Sequence, residues 1–293
     1  MIKKKLFVWV CDYSENSGEG KLARLFIKKL NDENKFKLIF NQKKILKNKY
    51  ISTIQGIIYC WNKYLKKEKV CYLNYLPFWN FMIFVLLPPN TLLGPITGGA
   101  NFLKSNNLHY FIRANIFPIF YKISEFSILF RNINITFSTD LLKKYLFFKT
   151  IKKSKFNFVF TSYFLKKKRK KKIDFLIYYR KHKNKESLFP YDFINKLVKR
   201  NYKIHVVGDK LNIPFVKNYG RISNKKVLKL QSIAKYTVAS GENLYSFFTI
   251  ECLSNNVKII VNKNEINKIT SHRDKIIKIN YNNIKDLKKL KKI

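Results

Sequence analysis

The sequence predicts an α/β protein made of two doubly wound domains, each built on a parallel sheet. Short apolar segments of strand length alternate along the chain with longer segments whose apolar residues recur at helical spacing. The chain has 293 residues, more than one domain usually contains. A lysine-rich stretch at 152–172 separates two such series, since like charges repel and stay solvated. We therefore expect domains at 1–165 and 166–293.

The first series begins with an apolar run at 5–11, followed by a polar loop that contains glycine and by a helical pattern at 21–30. Further strands are predicted near 36–40, 70–74, 91–94 and 133–137. Further helices are predicted near 50–66 and 108–130. Strands that alternate with helices indicate a parallel sheet covered on both faces.

The most apolar stretch of the chain runs from Leu76 to Leu87 and ends before two prolines. It is too short to span a bilayer, which takes roughly 20 residues. We expect a buried helix here, with an interfacial membrane segment as the alternative.

The second series repeats the alternation of the first. Strands are predicted at 173–179, 203–207, 235–239 and 257–261. Helices are predicted at 190–200, 223–234 and 246–254. Ligands of such sheets bind at the carboxyl ends of the strands, so we expect a binding cleft between the two domains.

The charge of the chain is strongly positive, with 60 Lys and Arg against 17 Asp and Glu and a formal net charge of +43. Only eight of the basic residues are Arg, and Asn, Ile, Phe and Tyr are also enriched. Lys, Asn, Ile, Phe and Tyr have AT-rich codons, so much of the excess positive charge reflects the base composition of the genome. A weaker expectation remains that the basic surface favours phosphate-bearing partners. Hydrophobic residues make up 46% of the chain, which excludes an unfolded protein.

The cysteines form neither a CxxC pair nor a zinc pattern with histidine. Cys11, Cys71 and Cys252 lie in apolar stretches, and we expect buried, reduced thiols and a reducing compartment. The first apolar run is too short for a spanning helix and has no signal-peptide cleavage site. We therefore expect a cytoplasmic protein.

Basic residues follow the first strand of the second half. The strand ending at Tyr179 leads directly into a run from Arg180 to Lys185 that includes His182. Cations at the carboxyl end of a parallel strand suit a phosphate or diphosphate. The alternative is a solvated basic turn.

Later turns carry glycines and acids. Gly208 and Gly220 lie where the backbone turns sharply or approaches a ligand. Glu242 follows a strand, and Glu251 lies in an otherwise apolar helix, where a carboxylate needs a partner. Vicinal hydroxyl groups of a sugar or ribose are natural partners for such acids.

The order of these motifs resembles the donor-binding domain of retaining glycosyltransferases of the GT-B fold, in which two Rossmann-like domains face each other across a cleft. That superfamily carries an E-x7-E signature. Here eight residues separate Glu242 from Glu251, so the spacing departs by one, and Asn243 occupies the strictly spaced first position.

The resemblance implies roles for these residues. Arg180 and Lys185, with Lys183 as a rival, would hold the donor diphosphate and offset charge on the leaving nucleotide. Glu251 would bind the ribose, and Glu242 or Asn243 the donor sugar. The catalytic residues would be Glu242, Arg180 and Lys185; donor binding would involve Glu251, Asn243, Gly208, Gly220 and His182.

The first half carries two glycine loops that agree with the resemblance. The first contains Gly18 and Gly20 and opens a helix after the first strand. The second reads Gly94-Pro-Ile-Thr97-Gly98-Gly99 and is similar to a GP-x-GG loop of part of the family. The resemblance places Gly18, Gly20, Thr97, Gly98 and Gly99 near donor and acceptor.

The resemblance implies a metal-independent, retaining hexosyltransferase with no cofactor other than its nucleotide-sugar substrate. Its C-terminal domain would bind the donor and its N-terminal domain the acceptor, a glycan or lipid-linked molecule of envelope polysaccharide biosynthesis. We expect no specific nucleic acid, and an anionic membrane surface is a further expected partner. Two alternatives remain: a basic nucleic-acid-binding protein, and an inactive relative that binds a nucleotide sugar.

Overall fold

The computed structural model describes the chain apart from eleven short stretches. The described residues are 3–15, 17–41, 48–73, 76–98, 108–131, 134–162, 169–182, 186, 188–239, 244–269 and 271–293. Contacts divide the chain into two compact units, Met1–Thr161 and Ser162–Ile293. This division falls close to the boundary expected between 165 and 166.

The first unit is built on a parallel sheet with the strand order β2-β1-β3-β4. Its strands are β1 (Lys4–Trp9), β2 (Phe36–Phe40), β3 (Lys69–Tyr72) and β4 (Leu92–Leu93). Val8 of β1 lies opposite Phe40 of β2 and Cys71 of β3. A separate parallel pair is formed by β5 (Ile135–Thr136) and β6 (Ser154–Lys155). An isolated bridge joins Ile96 to Phe137, directly after β5.

The helices of the first unit are α1 (Gly18–Asp32), α2 (Lys49–Leu65), α3 (Phe81–Leu86), α4 (Leu108–Asn115), α5 (Phe117–Leu129) and α6 (Phe148–Lys153). Short 3-10 segments lie at Lys143–Tyr145 and Phe158–Ser162. Side chains cap the first two helices: Ser17 accepts from the Gly20 amide, and Asn48 from the amides of Tyr50 and Ile51.

Two expectations for the first unit are corrected. The single helix expected at 108–130 is two helices, because Pro118 has no amide hydrogen and stands in the first turn of α5. The apolar stretch 76–87 forms only the short helix α3. It buries Ile83 and Phe84 but exposes Met82, Val85 and Leu86, so the prediction of a buried helix is wrong for its outer side.

The second unit is built on a six-stranded parallel sheet with the order β12-β11-β10-β7-β8-β9. The strands are β7 (Ile173–Tyr179), β8 (Ile204–Gly208), β9 (Lys217–Asn218), β10 (Ala234–Val238), β11 (Lys258–Asn262) and β12 (Ile276–Ile279). The helices are α7 (Tyr191–Lys199), α8 (Asn224–Ile233) and α9 (Phe247–Ser254). Short 3-10 segments lie at Lys263–Lys268, Arg273–Lys275 and Ile284–Lys289.

Helices cover both faces of this sheet. On one face, Phe175 and Ile177 of β7 pack in a buried cluster with Phe193 and Ile194 of α7. On the other face, Leu176 of β7 packs in a cluster that includes α9. The predicted α/β class, with parallel sheets in two doubly wound domains, is confirmed.

The strand order contains a reversal beside β7. The chain proceeds from β7 to β8 and β9 on one side, then returns to place β10, β11 and β12 on the other. In doubly wound sheets the ligand binds at the carboxyl ends of the strands where this reversal occurs. This rule places the expected binding position of this unit at the carboxyl end of β7, which has β10 on one side and β8 on the other.

Candidate functional site

The candidate site lies where β7 and β8 end side by side. Tyr179 pairs with Gly208 in the sheet, and the Asp209 amide donates to the Tyr179 carbonyl oxygen at 2.9 Å. The residues that follow each strand are therefore neighbours at one edge. We call this group the strand-end site: Arg180, Lys181 and His182 after β7, Gly208 and Asp209 at the end of β8, and Gly220 and Arg221 in the next turn.

Asp209 connects the segments of the strand-end site. Its carboxylate accepts hydrogen bonds from Arg221 Nε at 2.8 Å and from the Lys181 amide at 2.8 Å. The hydrogen bond from Arg221 holds the pKa of Asp209 below its usual value, and the Lys181 amide and the nearby Arg180 charge act in the same direction. The ionised carboxylate therefore fixes the position of Arg221.

The basic side chains of the strand-end site face solvent. Arg180, Lys181 and His182 are exposed, and Arg221 keeps 79% of its side chain exposed although Asp209 holds it. Arg180, Lys181 and Arg221 bring three positive charges against the single carboxylate of Asp209. The arrangement can bind an anion through charge-assisted hydrogen bonds.

Both glycines of the site adopt backbone conformations that favour glycine. Gly208 has a φ of 108°, and a Cβ atom there would lie 2.1 Å from the Tyr179 carbonyl oxygen. Gly220 has a φ of 68°, and its carbonyl oxygen accepts from the Gly208 amide at 3.0 Å. These glycines bring the two turns together; their expected contact with a donor stays a prediction.

The start of α9 lies beside the end of β7. The α9 N-cap is Ser246, whose Oγ accepts from the Thr249 amide at 3.3 Å. The ring of Phe248 stacks on that of Tyr178 with 5.5 Å between centroids. Because helix N-termini attract anions, α9 adds a favourable dipole near the reversal of the sheet.

Several predicted site residues lie outside the described residues: Lys183, Lys185, Glu242, Asn243 and Gly99. Their roles stay predictions. Glu242 and Asn243 belong to the segment that follows β10 and Ala239, and Lys183 and Lys185 to the segment that follows His182.

Glu251 of α9 is half-buried and has a partner within its own unit. Gln231 of α8 is fully buried, and its Nε2 donates to the Glu251 carboxylate at 3.5 Å and to the Phe248 carbonyl oxygen at 3.3 Å. Burial raises the pKa of the neighbouring Cys252 thiol, and the Glu251 charge raises it further. The expected contact of Glu251 with ribose stays a prediction.

The first glycine loop packs tightly against the start of α1. Asp12 accepts from the Ser14 amide at 2.8 Å and from Ser17 Oγ at 2.5 Å. Burial raises the pKa of Asp12, but these hydrogen bonds outweigh it and the pKa lies below its usual value. A Cβ at Gly20 would lie 2.3 Å from the Ser14 carbonyl oxygen, so the close approach requires glycine. Gly18 is the first residue of α1.

The second glycine loop is fixed by main-chain hydrogen bonds. The Thr97 amide donates to the Leu76 carbonyl oxygen at 2.8 Å, and the Thr97 hydroxyl donates to the same oxygen at 3.3 Å. Gly98 has a φ of 124°. The two loops follow β1 and β4 of one parallel sheet, so both lie at its carboxyl edge.

None of the four cysteines, all of which the structure describes, forms a disulfide. The expected burial is confirmed for Cys71 and Cys252 and wrong for Cys11, which follows the last residues of β1 and is partly exposed. Within the described ranges, no group of three or more His, Cys, Asp or Glu side chains is placed to hold a metal ion.

No protein-family model and no curated protein matches the sequence. Solved structures do match. An alpha-glucosyltransferase in complex with UDP and a 13-mer DNA containing a HMU base matches 98% of this chain and 90% of its own, with a TM-score of 0.52 and 9% identity. A glycosyltransferase from Rickettsia africae ESF-5 matches 98% of this chain and 86% of its own, with a TM-score of 0.50 and 12% identity.

The chain has the GT-B fold. The predicted resemblance to proteins of the GT-B fold is thereby confirmed at the level of the fold. At this identity the likeness shows the fold alone, and the chemistry has to be argued from the site.

Asp209 and Arg221 are residues of this GT-B chain whose importance the sequence patterns did not reveal. Twelve positions separate them, and only the fold brings the carboxylate and the guanidinium within 2.8 Å. The available signal was the position of Asp209 directly after Gly208, at the end of a predicted strand.

Proposed function

We propose that this protein is a glycosyltransferase that moves a sugar from a nucleotide-activated donor to a hydroxyl group. The observation that supports the proposal is the strand-end site, with its three cations beside the reversal of a six-stranded doubly wound sheet. A diphosphate matches this site in charge and position. The GT-B fold agrees with the proposal.

The proposed chemistry needs cations where negative charge develops. As the bond between the sugar and the diphosphate breaks, charge accumulates on the leaving nucleotide, and fixed cations stabilise it. Arg180 would contact the diphosphate directly, with Lys185 beside it. Arg221 is a further candidate for this contact, because Asp209 fixes the guanidinium before the substrate arrives.

The remaining donor contacts follow from the resemblance. Glu251 would accept hydrogen bonds from the ribose hydroxyls, with its carboxylate oriented by Gln231. Glu242 or Asn243 would bind the donor sugar from the segment after β10. His182, Gly208 and Gly220 would line the donor site.

The acceptor and the setting belong to the proposal as well. We infer a glycan or lipid-linked acceptor of envelope polysaccharide biosynthesis, a retaining and metal-independent reaction, and a cytoplasmic location. The glycine loops with Gly18, Gly20, Thr97, Gly98 and Gly99 would serve donor and acceptor from the first unit. The basic composition of the chain suits a phosphate-bearing acceptor.

A thermal-shift screen of UDP, GDP and ADP sugars tests donor binding. We expect one nucleotide class to raise the melting temperature of the wild type. Arg180→Gln should weaken binding about tenfold or more, as expected for the loss of a charge-assisted hydrogen bond of about 1.5–3 kcal/mol.

Arg273→Gln is the matched control, because Arg273 is an exposed arginine that precedes β12 and so lies at the opposite edge of the same sheet. It should bind as the wild type does. Equal weakening in both variants, or in neither, would contradict the site. A basic nucleic-acid-binding protein would instead bind nucleic acid with steep salt dependence and no response to these sugars.

A further inference from the structure

The helix α5 exposes its apolar side. Ile119, Ile123, Phe126 and Phe130 recur at helical spacing along α5 and its C-cap and are exposed, with Phe126 at 62%. The buried side of the same helix contains Ser124 and Glu125 beside Tyr121 and Ile128, so apolar residues lie on both sides of α5. A surface helix of a globular protein ordinarily presents polar residues to solvent.

The inward polar groups of α5 are hydrogen-bonded, which explains why this side is buried. Ser124 Oγ donates to the Phe78 carbonyl oxygen at 2.7 Å. The Glu125 carboxylate accepts from the Phe147 amide at 2.5 Å and from Lys122 Nζ at 3.0 Å. The exposed apolar side is therefore a consequence of specific contacts inside the unit.

The helix α2 has a similar outward stripe. Ile51, Ile54, Ile58 and Leu65 are exposed at helical spacing, while the opposite side buries Cys60. Isolated exposed apolar residues are common on proteins, but a stripe over four turns of one helix is unusual.

The two stripes meet at α3. Trp61 Nε1 of α2 donates to the Leu86 carbonyl oxygen of α3 at 2.7 Å. The ring of Phe81 at the start of α3 contacts that of Phe120 of α5, with 5.2 Å between centroids. Because α3 also exposes Met82, the stripes form one surface, which we call the apolar face: the exposed apolar side chains of α2, α3 and α5.

The chain segment that carries α3 and α5 is strongly basic. Between Lys69 and Lys172 the sequence contains only two acidic residues, Glu125 and Asp140. Glu125 is fully buried and bound to Lys122. The Lys122 ammonium group lies over the ring of Phe147, 3.5 Å from the ring centroid. Phe147 is exposed, so a cation and an aromatic side chain lie together at the surface here.

This charge distinguishes between two possible occupants. A second copy of the chain would bring the same basic segment and would be repelled. An anionic lipid surface offers headgroups that attract the cations and an acyl boundary that takes the apolar side chains. Within the described residues, no helix is long and apolar enough to cross a membrane.

We propose that the apolar face docks this protein onto an anionic lipid bilayer, with α2, α3 and α5 along the membrane interface. The residues involved belong to the first unit, and none is part of the strand-end site. The inference extends the proposed function by adding the membrane on which a lipid-linked acceptor would lie. Its test requires no sugar transfer.

Vesicle sedimentation with the full chain tests the proposal. We expect binding to vesicles of phosphatidylcholine mixed with phosphatidylglycerol and much weaker binding to phosphatidylcholine alone. A triple variant, Ile54→Gln, Ile58→Gln and Phe126→Gln, should bind the anionic vesicles about tenfold or more weakly. The control Phe215→Gln should bind as the wild type does, because Phe215 is 94% exposed but lies in the second unit.

Circular dichroism and the nucleotide-sugar thermal shift establish that the triple variant is folded. Quenching of tryptophan fluorescence by brominated lipids gives an independent readout; Trp61→Phe should reduce it, because Trp9 and Trp79 remain. The proposal would be overturned if the wild type did not bind anionic vesicles, or if the triple variant bound them with the affinity of the wild type. A dimer that the triple variant converts to a monomer, without vesicle binding, would assign the face to a second copy. Failure of sugar transfer would leave these results unaffected.

Discussion

At the scale of single residues, the organising group of the candidate site is Asp209. The sequence predicted cations after β7, and Arg180 does follow that strand at the edge where the sheet reverses. It could not predict that Asp209 fixes Arg221, because the two lie in different turns and meet only through the pairing of β8 with β9. Long-range ion pairs leave no periodic signal in a sequence.

The pKa of Asp209 tests this organisation. Its carboxyl should titrate below the ordinary value of 3.8 in the wild type, mainly because Arg221 donates to the charged form. Arg221→Gln should raise the midpoint toward that value. Because the folded pKa is lowered, the stabilising effect is present above the ordinary pKa and disappears as the pH falls through the folded pKa.

Carbon-detected NMR titration provides the measurement. Asp286 serves as an internal control, since hydrogen bonds from the Asn280 amide, Lys263 and Lys289 also lower its pKa and none involves Arg221. Its midpoint should be the same in both proteins. An Asp209 midpoint that Arg221→Gln leaves unchanged would show that the contact does not hold the carboxylate.

At the scale of elements, the sequence patterns located the buried strands and most helices. The spacing of apolar residues and the length of the apolar run identify an element when that element is long and apolar. The strand β7 is an example, since it is buried along nearly all its length. The strands β9 and β12 were not predicted, because they are short and follow irregular segments. Periodicity also groups the residues of α5 into sides without telling which side is inward; that depended on partners such as the Phe78 carbonyl oxygen.

The junction of β7 and β8 yields a second prediction. Gly208→Ala adds a Cβ that clashes with the Tyr179 carbonyl oxygen, and it also forces alanine into a strained positive φ. Gly220→Ala introduces only the strain of a positive φ, because the space around its Cβ is open. Gly220→Ala should lower the free energy of unfolding by about 1–2 kcal/mol. Gly208→Ala should lower it further, because the adjoining backbone must shift.

Urea unfolding of the two variants measures this difference. Both should unfold with the slope of the wild type if the change is local. Equal destabilisation by the two substitutions would mean that the distance between Gly208 and the Tyr179 carbonyl oxygen is greater in solution than in the structure.

At the scale of the whole molecule, the chain has the GT-B fold and consists of two units with parallel sheets. Its positively charged residues occur in two distinct places. Some cations converge at the strand-end site of the second unit. Others lie in the segment of the first unit that carries α3 and α5 and has almost no acids. Composition alone could not separate these contexts, since it records how many lysines the chain has and not which surface they occupy.

The central claim is that the strand-end site supports transfer of a sugar from a nucleotide donor. Measuring release of nucleoside diphosphate and sugar transfer, with a nucleotide sugar that stabilises the protein, tests it most directly. We expect turnover by the wild type and by Arg273→Gln, and a kcat/KM about 10–100-fold lower in Arg180→Gln. Binding without turnover would indicate an inactive relative, and full activity in Arg180→Gln would contradict the assignment of the site.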